Sequence, residues 1–436
     1  MQKAMIEPRL VYRPYNQESS SPNASLVPTS IDRLREMNPE TNLVVLCARM
    51  FLSDSEPSSL RSALTAPLNW GLLEQSAQRN AMMPLVAYVL AQHGTGLIAQ
   101  DTLKKLHERL LRTAQKNLAW LQEWLRVLDV LADSRIPVIS FKGPALALMA
   151  YRNLALREFA DLDLLVRPCD VVRTRDVLLH NGYVLNSDVP DNTDAALSRF
   201  SDRQISFGKN DNHEIKLDLH WGVVSEWSSF QLDVGSLFEY ASIERRERIS
   251  FLSLSPEYLL LLLCAHGTKH CWSNLRLLCD VACHVQSSPN LNWNLCVRLA
   301  EPDGDLVMKH SLLLTRQVLG LQLPECVTNY ASGDAKAHWL AAKAQTFLFR
   351  EDRNRSPYLD DRTRYLQVLR YRLALEGGQR LRSSVALVFR RAFIPNEADW
   401  RSLRLPRSLY FLYYLFRPIR LVIERLSIRR FRLDGR

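Results

Sequence analysis

The chain reads as a mostly helical α+β protein, with a small α/β core of mixed sheet flanked by N-terminal and C-terminal helical regions. Three observations predict this. Leucines recur at the i, i+3, i+4 period of helices before residue 133 and again after residue 230. Short runs that are β-branched or alternate polar with apolar fall within residues 133–225. The 436 residues are 47% hydrophobic and 23% charged, ample for a folded core and for two to three domains. With only 15 glycines, collagen-like and glycine-rich low-complexity readings are excluded.

The elements follow in order. Residues 1–40 are polar, with Ser19–Ser21 and several prolines, and are expected to form a disordered lead-in. Residues 41–132 form the N-terminal helical region: Leu43, Leu46, Cys47 and Met50, then Leu72, Leu73 and Ala77, then Pro84 to Leu90. Its longest stretch spans 102–132, where Leu103, Leu106, Leu110, Leu111, Leu118, Leu121, Leu125 and Leu128 are expected to make one buried stripe.

The core occupies 133–225. Ile136 to Phe141 reads as a buried strand, and Gly143-Pro144 starts a helix running to about Leu156. Asp161 to Val166 alternates acid and apolar and reads as a second strand. Asp170 to His180 is a helix stopped by Asn181-Gly182. Arg203–Gly208 and His213–Trp221 flank Lys209 to Asn212, a hairpin signal. After Phe230 the pattern returns to helices through 226–400. Pro256 to Val285 is one long helix or a pair, followed by Leu306–Leu319, Ala335–Phe349 and Arg362–Leu387, then a loop at Asn396–Pro406. No internal repeat is visible.

Charge is unevenly placed. Of the net +10, residues 401–436 contribute ten Arg against Glu424 and Asp434, so the body is nearly neutral. A nucleic-acid partner is therefore disfavoured. The tail is aromatic as well as basic, with Arg425, Arg429, Arg430 and Arg432 after Leu409–Phe416. Peripheral contact with an anionic membrane is one reading of it, with Leu409–Phe416 docked on the body. The eight cysteines show no disulfide framework, the N-terminus has no apolar signal region, and no run reaches the ~18 apolar residues that cross a bilayer. A cytoplasmic location is expected, with the tail at the inner face of the membrane.

The candidate chemistry centres on Asp161, Asp163 and Asp218. On a strand, residues i and i+2 share a face, so Asp161 and Asp163 set two carboxylates side by side while Leu162 and Leu164 face the core. On the hairpin strand, Glu214, Lys216, Asp218 and His220 share one face. If the two strands are neighbours, Asp218 completes a three-carboxylate cluster suited to Mg²⁺. Gly143 lies at a strand-to-helix turn whose free N–H groups favour an anion, with Lys142 beside it and Arg157 just before the acidic strand. His266 and His270 stand at i, i+4 without the glutamate of a His-Glu-x-x-His zinc helix. Nearby Cys279, Cys283 and His284 suit an apolar helix better than a metal site.

Phe141-Lys-Gly-Pro-Ala-Leu-Ala-Leu, Leu156-Arg-Glu-Phe-Ala-Asp-Leu-Asp-Leu-Leu-Val166 and Leu217-Asp-Leu-His-Trp221 resemble the uncharacterised bacterial nucleotidyltransferases of the polymerase-β-like superfamily. The resemblance continues through Cys264-Ala-His-Gly-Thr-Lys-His270, Leu278-Cys-Asp-Val-Ala282 and the ending Leu405 to Leu421. It implies a nucleotidyltransferase-type core, with Asp161 and Asp163 holding Mg²⁺, or Mn²⁺, and Asp218 orienting or deprotonating the attacking hydroxyl. It further implies transfer of a nucleoside monophosphate from a nucleoside triphosphate to an acceptor hydroxyl, releasing pyrophosphate. Lys142, Gly143 and Arg157 would hold the nucleotide, and His220, His266 and Lys269 would contact substrate or phosphate. The superfamily usually has Ser or Gly where Pro144 stands here, and a shorter spacing than that from Gly143 to Asp161. The alternative is a non-catalytic, nucleotide-binding adaptor of a membrane-associated biosynthetic assembly.

Overall fold

The computed structural model describes residues 37–53, 57–186, 203–209, 215–224, 230–246, 248–349 and 405–433, with isolated positions from 371 to 403. The expected lead-in and most of Arg362–Leu387 and Asn396–Pro406 lie outside the described residues. The class is the expected one: mainly helical α+β.

Five helices open the described chain: α1 Pro39–Leu52, α2 Pro57–Thr65, α3 Trp70–Arg79, α4 Met83–His93 and α5 Gln100–Asp133. Side chains before the helices fix two of the starts. Asn38 Oδ1 accepts from Thr41 N–H at α1, and Asn69 Oδ1 accepts from Leu72 N–H at α3. The next elements are β1 Ile139–Ser140, α6 Gly143–Leu146, β2 Leu162–Leu165, α7 Val171–His180, β3 Tyr183–Leu185, β4 Gln204–Lys209 and β5 Lys216–His220. Then come α8 Val234–Glu239, β6 Ser242–Arg246, β7 Ile249–Ser253, α9 Pro256–Lys269 and α10 Leu275–Ser287. The remainder is α11 Trp293–Ala300, α12 Asp305–Leu319, α13 Glu325–Ser332, α14 Ala335–Leu348 and α15 Tyr413–Leu433.

The strands form a mixed seven-stranded sheet in the order β3-β4-β5-β2-β1-β7-β6. β2 runs parallel to β5, and β4 and β5 form the expected antiparallel hairpin pair. Alternation separates the sheet's faces. Leu162, Leu164, Leu217, Leu219, Ile205 and Phe207 share the apolar face, which their strand registers bring together. Helix α5 joins this core: Trp124 Nε1–H donates to Ser140 Oγ at 3.0 Å, and its ring meets Phe251 edge-on. Buried Glu123, on the same helix, accepts from Lys209 Nζ at 2.7 Å and from Tyr183 Oη.

Four local expectations are corrected, and one left open, Pro256–Val285, is decided. The leucines of 102–132 do not make one buried stripe: Leu106 is buried, whereas Leu111 and Leu118 on the same helix are exposed. β1 is shorter than Ile136–Phe141 because Pro137 has no N–H for the ladder. The helix begun at Gly143 passes into a π-turn, Ala147–Tyr151, and ends at Arg152 in the left-handed region (φ +54°). The chain after Phe230 is not helical throughout: the short helix α8 is followed by two further strands. β6 and β7 form a hairpin whose inner strand pairs in parallel with β1, so the sheet extends beyond residue 225. Pro256–Val285 is a helical pair: Cys271 and Trp272 take positive φ, and buried Trp272 folds back over Gly267. A Cβ on Gly267 would stand 2.4 Å from the Trp272 ring, so this bend needs glycine.

Candidate active site

The site lies on the face of the sheet opposite α5. Asp163 and Asp218 are direct register partners on parallel β2 and β5, and His220 follows two residues later on the same face of β5. Among the described residues, Asp163, Asp218 and His220 form the group whose ligand atoms converge, all within 4.8 Å of one another. The donor set is two hard carboxylates and an imidazole, which fits a divalent cation.

Each member is held by specific partners. Asp163 Oδ1 accepts from Lys142 Nζ at 2.7 Å and from His220 Nε2 at 3.1 Å. Burial alone would raise the Asp163 carboxyl's pKa, but Lys142 and His220 outweigh it and hold the group well below the usual range. Asp218 Oδ1 accepts from Ser206 Oγ at 2.6 Å, and Oδ2 accepts from Gln204 Nε2 at 2.7 Å. The His220 ring also meets Phe141 edge-on at 5.5 Å.

Asp161 enters from just before β2 and lies outside the converging trio. Burial raises its pKa first and the neighbouring Asp163 charge second, with Lys142 opposing. Gly143 sits beneath it. Its φ is +56°, and a Cβ there would approach the Asp161 carbonyl oxygen to 3.0 Å. Lys142, expected on the nucleotide, thus pairs with Asp163, and the turn at Gly143 places it there.

Arg157 takes a different part from the one expected. Its Nε and Nη2 donate to Asp280 Oδ1 and Oδ2 at 2.7 and 2.9 Å, and Tyr151 Oη donates to Oδ1 at 2.8 Å. The pair is buried and ties the loop before β2 to α10. The third nitrogen, Nη1, is buried with no hydrogen-bond partner among the described residues. Asn117 on α5 secures the same stretch, donating to the carbonyls of Leu154 and Arg157.

His266 approaches from α9. It packs against His270 at 4.6 Å, and its pKa is driven well below the ordinary value by burial, then by the charges of Lys142 and His270. Asp163 acts on it in the opposite sense, so the electrostatics connect α9 with β2. Lys269 is exposed at the end of α9. Burial keeps the Cys279 and Cys283 thiols protonated, and His284 Nε2 bonds to the Pro256 carbonyl at 2.8 Å, as expected of packing residues.

Sequence reasoning missed Gln204, Ser206, Asn117, Tyr151 and the pairing of Arg157 with Asp280. A signal existed for the first two: in an antiparallel hairpin, alternate polar residues of β4 share the face of Asp218. Nothing local in the sequence joins Arg157 to a residue so distant along the chain.

No curated protein shows significant similarity to the chain. A family described as uncharacterised nucleotidyltransferase matches residues 66–320, more than half the chain and all of the sheet. With acidic strands β2 and β5 side by side inside the matched region, the chain belongs to this nucleotidyltransferase family.

Proposed function

We propose that the protein is a metal-dependent nucleotidyltransferase that moves a nucleoside monophosphate from a nucleoside triphosphate to an acceptor hydroxyl. The observation that carries this reading is the in-register pairing of Asp163 with Asp218, with His220 beside them. Asp163, Asp218 and His220 would hold Mg²⁺, or Mn²⁺, with Asp161 adding charge at the rim. When bound, the cation supplies charge stabilisation to the phosphates.

The residues divide the remaining work. Asp218, fixed by Gln204 and Ser206, orients the acceptor hydroxyl and takes its proton. The oxygen then bonds to the α-phosphorus as the bond to the β-phosphate breaks, and pyrophosphate leaves. Lys142 is released from Asp163 to the triphosphate, which lies over the Gly143 turn. Arg157 holds the floor rigid through Asp280 and offers Nη1 to the same anion. His266 and Lys269, on α9, face the incoming substrate, with His220 bonded to Asp163 at its base.

One observation favours the second reading, a non-catalytic nucleotide-binding adaptor. Lys142 Nζ already rests on Asp163 as an internal cation. Calorimetric titration of MgCl₂ and of nucleoside triphosphates into the purified protein, with labelled-nucleotide transfer scored in parallel, separates the two. Metal-dependent nucleotide binding with pyrophosphate release supports the transferase. Nucleotide binding that ignores metal and never releases pyrophosphate supports the adaptor.

A further inference from the structure

The C-terminal helix, together with the 3₁₀ turn Arg407–Leu412 before it, carries an exposed apolar face. Phe411, Leu415, Ile419, Val422 and Ile423 are 53–62% exposed, and Tyr414 is exposed beside them. From Leu415 the spacing is i, i+4, i+7, i+8, one side of a helix. The opposite side is anchored. Tyr413 is fully buried, with Leu405, Tyr410 and Phe416 packed on it, and its Oη donates to the Leu403 carbonyl at 2.7 Å. Arg417 Nη1 and Arg420 Nε both reach buried Asp399, at 2.7 and 2.5 Å. These contacts correct the expectation that the whole of Leu409–Phe416 docks. Tyr413 and Phe416 turn inward, and Phe411 and Leu415 turn out.

We propose that this outward stripe is an interfacial membrane-binding face that inserts into the headgroup region of an anionic bilayer. Two features select that occupant. Residues 401–436 hold ten arginines and two acids, and Asp399 offsets only one of the two charges of Arg417 and Arg420, so the tail keeps a clear excess of positive charge. The sequence running on from the stripe supplies Arg425, Arg429, Arg430 and Arg432, which matches a negative lipid surface. A helix with an apolar stripe, aromatic residues and a basic flank, yet low overall hydrophobicity, lies in the interface and does not span it. No helix among the described residues is long and apolar enough to cross a membrane. The Asp399 and Tyr413 contacts set the rotation of the helix, so the stripe presents outward before any lipid arrives. This inference is independent of the chemistry at Asp163.

The test is flotation of the full chain with vesicles of phosphatidylcholine plus phosphatidylglycerol, and with phosphatidylcholine alone. The wild type is expected to float with the mixed vesicles at low salt, and weakly with the neutral ones. The double substitution Leu415→Asp/Ile419→Asp should cut mixed-vesicle binding by about tenfold or more. Its melting temperature should be unchanged, because both side chains are exposed. Phe411→Ser serves as the milder variant should the double one unfold. Three results overturn the proposal: no flotation of the wild type, flotation of the stripe variants equal to wild type, or a wild-type dimer in sedimentation that the stripe variants dissolve without any change in vesicle binding.

Discussion

Lys142 Nζ and Asp163 Oδ1 are 2.7 Å apart on the floor of the candidate site, an internal ammonium held against a nearly inaccessible carboxylate. The Gly143 turn, closed to any Cβ by the Asp161 carbonyl, fixes the segment that delivers the lysine. Since a divalent cation at Asp163 would meet Lys142 in the same place, the two compete, and the competition is measurable.

Lys142→Met removes one partner of a buried pair and should lower the stability of the metal-free protein by about 3 kcal/mol. MgCl₂ or MnCl₂ should restore much of that loss, and should raise the melting temperature of the variant more than that of the wild type. Thermal melts of both proteins across a metal titration give the answer. A variant that is destabilised and stays so in saturating metal rules out a cation site at Asp163.

Asp161→Asn acts in the opposite direction. The Asp161 charge is disfavoured by burial and by Asp163, so its removal should leave the metal-free protein as stable as before or slightly more so. Any stabilisation by Mn²⁺ should shrink in the same variant. Asp163→Asn is not the equally mild change that simple repulsion between clustered carboxylates suggests, because it strips Lys142 and His220 of their shared acceptor. Asp218→Asn, whose partners Gln204 and Ser206 are neutral, is the cleaner test of chemistry. It should reduce nucleotidyl transfer by ~10²-fold or more with circular dichroism unchanged.

Arg157 and Asp280 should be strongly coupled. Either Arg157→Met or Asp280→Asn leaves a buried partner uncompensated and should cost about 3–5 kcal/mol in urea unfolding. The pair of substitutions together should cost much less than the sum, since no charge is then stranded. Simple additivity would mean that the bidentate contact contributes nothing. Arg157→Ala thus tests the fold before it tests nucleotide binding, and it must be paired with the Asp280 variant to be read as chemistry.

What the sequence made legible follows from period. The alternation of Asp161 to Leu165 and of Lys216 to His220 assigns faces without any tertiary information, and the hairpin signal then places β5 in a sheet. The nucleotidyltransferase resemblance supplied what period could not, the expectation that the two strands are neighbours. β6 was hidden because Glu244, Arg245, Arg246 and Glu247 read as a solvated run, and only Phe251 and Ser253 of the hairpin are buried. Arg157 looked like a phosphate ligand because its partner lies on α10, and no local pattern encodes so distant an ion pair. The two sides of α15 were also undecidable from composition. Tyr413 and Tyr414 are the same residue type, one fully buried and the other exposed, and the difference arises from hydrogen bonds to Leu403 and Leu405.

Stability should fall as the pH drops below about 6.5, and His310 is one of the buried imidazoles responsible. This imidazole is fully buried where α12 meets α9. Its Nδ1–H donates to the Leu306 carbonyl at 2.6 Å, and its Nε2 accepts from Trp272 Nε1–H at 3.3 Å and from the Tyr371 hydroxyl at 2.9 Å. Trp272 Nε1 can only donate, so the neutral tautomer is imposed and a proton on Nε2 would face another N–H. Burial pulls the pKa down to about 4, with the Leu306 bond opposing. The sign follows directly. Between about pH 4 and 6.5 the unfolded chain binds a proton at this residue and the folded chain does not, so stability rises with pH across the window and is lost on acidification. The slope is about 1.4 kcal/mol per pH unit for one such group, and it levels off above the unfolded value. His266 and His284 are lowered in the same direction, first by burial, and add to the effect. The measurement is urea unfolding at a series of pH values for the wild type and for His310→Gln. The variant should be less stable at neutral pH, where it loses a well-satisfied group, and its pH slope should be shallower by the contribution of one proton. A variant with the full wild-type slope would assign the acid sensitivity to groups other than His310.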